Sequence, residues 1–66
     1  MTLEKARELI EVQVGFGSGY NRNATRLILR EVQIEHGQDA VDTLIAELDL
    51  EITFGLRPGT DFSKVV

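Results

Sequence analysis

Apolar residues along this chain recur at steps of three and four, the period of helices that bury one face. In the first segment Leu3, Ala6, Leu9, Ile10 and Val14 follow that rule. Thr2 stands where an N-cap hydroxyl is wanted, and Glu4 follows in the first turn, where a helix favours an acid. Gly15, Gly17 and Gly19 then interrupt, which predicts a helix over about residues 2–14. Ile10, Val12, Val14 and Phe16 also alternate, which is strand periodicity. The alternative to an all-helical chain is therefore an α+β arrangement with short strands near 10–16 and 50–54.

A second helix is expected over 22–36, with Asn21 or Asn23 as its cap and Gly37 as its stop. At 100° per residue its apolar groups form two stripes, Leu27 with Ile34 and Ile28 with Val32, and Glu31 and Glu35 lie between them. Two stripes predict two neighbours. A third helix is expected over 39–53, where Ala40, Val41, Leu44, Ile45, Leu48 and Ile52 share one arc. Asp39, its cap, comes two residues after Gly37, so helices 2 and 3 must meet in a tight αα corner. Leu50 and Phe54 fall off the arc and are expected to form a second contact surface. Gly55 stops the helix, Pro58-Gly59 makes a turn, and residues 56–66 read as a tail that Phe62, Val65 and Val66 could dock.

Sixty-six residues make one small domain, and a chain this short buries only about 60% of the surface its unfolded form exposes. Disulfides, a metal or a partner subunit commonly compensate. There is no cysteine, and His36 is the single histidine, which leaves self-association as the open remedy. The net charge of −4 disfavours general affinity for nucleic acid or an anionic membrane. No apolar run approaches the roughly 20 residues of a membrane span, and the N-terminus lacks the pattern of a signal peptide, so a cytoplasmic location is expected.

Charge is separated along the chain. Glu31, Glu35, Asp39, Asp42, Glu47, Asp49 and Glu51 make seven carboxylates between residues 31 and 56, with no Lys or Arg among them. Before them Arg22, Arg26 and Arg30 stand four apart, one ridge along a helix. The helix 2–corner–helix 3 unit invites comparison with helix-turn-helix DNA readers. However, the would-be recognition helix starts Gln38-Asp39-Ala40-Val41-Asp42, without a cation for phosphates.

Three features carry candidate chemistry. The loop Gly15-Phe16-Gly17-Ser18-Gly19 precedes the arginine ridge, and backbone N–H groups with guanidiniums favour anions. It lacks the G-x-x-x-x-G-K-[ST] pattern, and the ordinary role of its glycines is a flexible connection. The arginine ridge itself could hold a phosphate, RNA or an acidic partner, against the default of a solvated face. Glu31, Glu35 and His36 cluster at the end of helix 2, but the E-x-x-H of di-iron bundles is absent. No nucleophile stands beside a base, so no catalytic residue, metal or cofactor is expected.

These readings predict an all-α protein of three helices, acting as a non-catalytic interaction or regulatory module. Its expected partners are a second copy, as a homodimer or higher, and another protein. Leu27, Ile34, Leu50 and Phe54 are the expected contact anchors, and Arg22, Arg26 and Arg30 would steer an acidic partner. The alternative is an anion or nucleotide-phosphate binder using Arg22, Arg26, Arg30, Gly17 and Ser18. Nucleic acid on the same ridge ranks lower.

Overall fold

The computed structural model describes residues 1–16 and 22–64, and among them the chain is all-α, with no strand. Helix α1 spans Leu3–Gly15, and Thr2 caps it, its Oγ1 accepting from the Lys5 N–H at 3.0 Å. Ala6 and Ile10 are fully buried and Val14 packs beside them. Residues 10–15 are thus helical, and the strand alternative for them does not hold.

Helix α2 spans Arg22–His36 and buries Thr25, Leu29 and Val32, a stripe at i, i+4 and i+7. Leu29 is a core residue that the two-stripe reading of this helix overlooked. The Gly37 N–H closes the helix on the carbonyls of Gln33 and Val32, at 3.1 and 3.3 Å. With φ 91° and ψ −179°, Gly37 then occupies a backbone region that side chains exclude. Helix α3, Gln38–Glu47, starts at the next residue, which makes the corner as tight as the Gly37–Asp39 spacing implied. Gln33 Nε2 donates to Gln38 Oε1 across it at 2.9 Å.

The expected helix over 39–53 is two helices. Asp49 takes a left-handed conformation, φ 52° and ψ 42°, and a short helix α4, Leu50–Phe54, begins after it. One left-handed residue redirects the axis, so the apolar arc drawn through a continuous helix fails beyond Leu48. Ile52, expected in the core, is 86% exposed, whereas Leu50 and Phe54, expected at the surface, are buried with Val41, Leu44 and Ile45. Residues 50–54 are helical as well, which removes the second proposed strand.

After Gly55 (φ 72°) the chain reverses through Pro58-Gly59 and ends its described part in a 3₁₀ turn, Phe62–Lys64. This segment is built into the fold. Leu56 and Phe62 complete the core, and polar groups at the α2–α3 corner hold the backbone between them. Asp42 Oδ1 accepts from the Gly59 N–H at 2.8 Å, Gln38 Nε2 donates to the Thr60 carbonyl at 3.0 Å, and Gln33 Oε1 accepts from the Phe62 N–H at 3.3 Å. Val65 and Val66 lie outside the described residues. Arg7 on α1 pairs with Glu47, the last residue of α3, at 2.6 Å on the surface.

Candidate anion-binding cleft

The arginine ridge borders the core stripe of α2, because Arg22, Arg26 and Arg30 lie at about 60°, 100° and 140° from Thr25 around the helix. Its first member leans over the end of α4. Arg22 Nε donates to the Phe54 carbonyl at 2.8 Å, one of the last carbonyls of that helix and so without an intrahelical partner. The contact fixes the guanidinium plane and leaves four of the five N–H groups that every guanidinium carries. Arg26 is steadied from its own helix, Nη1 donating to Asn23 Oδ1 at 3.3 Å.

The C-terminal segment supplies the opposite wall. Where the chain turns at Gly55, Leu56 enters the core and Arg57 is left outside, its Nε 3.6 Å from Glu51 Oε2. Between this segment and α2 lies an open cleft of about 310 Å³, lined by Arg22, Arg26, Gly55, Leu56, Arg57, Thr60 and Phe62. Among the described residues three arginines line it and no carboxylate does. Leu56 and Phe62, both almost fully buried, form an apolar floor. A cationic site has therefore formed on a chain whose net charge is −4. Chemically it can hold an anion. Among the described residues its lining offers no histidine, carboxylate or amine to move a proton, and Thr60 has the single hydroxyl.

Arg30 continues the ridge without lining the cleft; it is half-buried, and its Nε is buried without a hydrogen-bond partner among the described residues, as is Thr25 Oγ1. Gly17 and Ser18, the loop residues expected to help bind an anion, lie outside the described residues. Of the four expected contact anchors, Leu27 and Ile34 project from the outer face of α2, 60% and 59% exposed. Leu50 and Phe54 are core residues, for the reason given by the turn at Asp49.

Of Glu31, Glu35 and His36, the last two tie α2 to Met1 at the surface, and Glu31 is an exposed side chain outside that tie. Glu35 receives the Met1 ammonium at 2.8 and 2.9 Å, and His36 Nε2 donates to the Met1 carbonyl at 2.9 Å. The ammonium's hydrogen bond and charge hold the Glu35 carboxyl below its ordinary range. No group of three or more His, Asp or Glu side chains placed to hold a metal occurs among the described residues. No described helix is long and apolar enough to cross a membrane.

Gly55, Leu56, Arg57, Thr60 and Phe62 are the cleft residues that sequence reasoning missed as site residues. Arg57 stands outside any periodic stretch, and the one signal for its placement is the Pro58-Gly59 turn, which brings the chain back towards α2. Comparison with family models, with curated proteins and with solved structures finds no match.

Proposed function

We propose that this protein is a non-catalytic interaction module of the cytoplasm that captures an acidic segment of another protein in the arginine cleft. The observation that carries the reading is the convergence of Arg22 and Arg26 from α2 with Arg57 from the C-terminal segment around a floor of Leu56 and Phe62. Clustered cations beside apolar surface are what an acidic peptide requires: charge for orientation and on-rate, apolar contact for affinity. The described lining, with no proton-transfer group in it, favours binding over chemistry. At 310 Å³ the cleft lies at the lower end of small-molecule sites, so a drug-sized ligand would keep much of its surface in water. A side chain presented by a partner is a better match in size.

The test is fluorescence anisotropy of a fluorescein-labelled glutamate-rich peptide, titrated with the protein at low salt. Saturable binding is expected, weakened about tenfold in the double variant R26A/R57A and unchanged in K5Q, which removes a cation remote in sequence from the cleft. Equal loss in K5Q and the double variant would reduce the effect to general electrostatics and sink the proposal.

A second reading, self-association, is favoured by Leu27 and Ile34, one heptad apart on the outer face of α2. Arg30 borders this face on one edge and Glu31 on the other, so two copies paired side by side and parallel would set basic against acidic edges. Sedimentation equilibrium over a hundredfold concentration range checks it. A dimer that L27D/I34D converts to monomer supports the reading, and a wild-type monomer throughout the range removes it.

A further inference from the structure

The arrangement of the cleft distinguishes between acidic groups. Three arginines line it, and Glu51 at 3.6 Å offsets one of them, so the described lining carries about two positive charges without a counter-charge. A carboxylate supplies one negative charge and two acceptor oxygens. A phosphate monoester supplies up to two charges and three terminal oxygens, and planar guanidinium forks suit it.

Two of the three guanidiniums are also held for such a ligand. Arg22 is anchored through Nε to the Phe54 carbonyl, and its Nη groups meet no hydrogen-bond partner among the described residues. Arg26 uses one Nη1 hydrogen bond. Arg57 meets Glu51 through Nε at a distance longer than a hydrogen bond, a contact an incoming dianion can replace without breaking the core. Because Arg22 is set by a helix end and Arg26 by its own helix, the ligand orders fewer rotamers on binding. The floor of Leu56 and Phe62 gives the carbon chain of an ester an apolar surface to lie on.

We infer that the acidic group received by the cleft formed by Arg22, Arg26 and Arg57 is a phosphorylated serine or threonine side chain of a partner protein. This rests on the proposed interaction function and narrows it: docking becomes conditional on phosphorylation of the partner.

The experiment compares three fluorescein-labelled peptides of one Gly- and Ala-rich sequence carrying phosphoserine, glutamate or serine at the central position. Free O-phosphoserine serves as competitor. At pH 7.5 the phosphopeptide is expected to bind at least about tenfold more tightly than the glutamate peptide, as a second charge and third oxygen on guanidiniums imply. Lowering the pH to 5 protonates the phosphate, whose second pKa is about 6, and should weaken the phosphopeptide severalfold while leaving the glutamate peptide nearly unchanged. R57A should abolish most of the preference. Arg57 is highly exposed, so its removal leaves the fold intact, which circular dichroism checks. Equal affinity for the phosphoserine and glutamate peptides would overturn the inference and leave the acidic-partner function standing. Failure of both peptides to bind would overturn both. Free O-phosphoserine competing at the concentration of the peptide itself would overturn the assignment to a protein partner.

Discussion

Replacing Phe62 with alanine tests whether the C-terminal segment is structural or an appendage. Phe62 is 2% exposed, sits eight residues after Phe54, and forms the floor of the cleft. An aromatic ring buried to this degree withdraws about 150–250 Å² from water. At about 25 cal/mol per Å² that is roughly 4–6 kcal/mol. A denatured chain that is already partly compact reduces the figure by about 10–40%. Roughly 2–5 kcal/mol remains, and its upper part coincides with the range of roughly 3–5 measured for Phe→Ala elsewhere. At about 0.05–0.15 kcal/mol per residue, a chain of 66 residues has a total stability of only about 3–10 kcal/mol. F62A should therefore cost a third of the stability or all of it. The assay is urea unfolding followed by far-ultraviolet circular dichroism. With a slope near 1 kcal/mol/M, as for small proteins, the midpoint should fall by about 3 M. The cost cannot exceed the free energy that docks residues 56–64, because the segment can also detach as a unit. Detachment would show as a smaller slope with most helix retained. A midpoint and slope both equal to wild type would refute the placement of this segment in the core, and the cleft with it.

Other positions give sharper local tests. G37A should destabilise by about 1–3 kcal/mol, since its φ of 91° belongs to glycine while an added Cβ would meet nothing within 4 Å, so the cost is backbone strain alone; thermal unfolding of the variant measures it. D49G should be neutral or stabilising by up to about 1 kcal/mol, because Asp49 pays for a left-handed conformation and its side chain caps nothing. D49V at the same place should lower the melting temperature. Hydrogen bonding to Arg7 and its charge hold the Glu47 carboxyl below its ordinary range, and hydrogen bonds from Ser63 do the same for Asp61. A carboxyl with a lowered folded pKa contributes stability above its unfolded pKa and loses it as pH falls through the folded one. Urea midpoints from pH 7 down to pH 3 should therefore fall for the wild type and fall less for E47Q. Identical slopes would show that the Arg7–Glu47 pair is inert.

Much of the fold was legible because it is decided locally. Thr2 as a cap, Gly37 as stop and corner, and the bounds of α2 depend on hydrogen bonds spanning a few residues and on glycine's freedom at positive φ. The all-helical character follows from the same short-range periodicity. The arginine ridge was legible too, since residues four apart share a helix edge whatever the helix packs against. What the sequence by itself left undecided begins at Asp49. One residue crossing into the left-handed region moved Leu50 and Phe54 into the core and Ile52 out to solvent, and no periodicity registers a change of axis. The same limit hid the cleft. Arg57 joins Arg22 and Arg26 only because Leu56 and Phe62 fill the gap left by α2, α3 and α4, while Gln33, Gln38 and Asp42 hold the chain between them. Those contacts bridge segments up to 29 residues apart, and their free energy exists only once the other helices are in place. Helices were therefore determined by the sequence along its own length, whereas the site was decided by which surfaces remained to be covered.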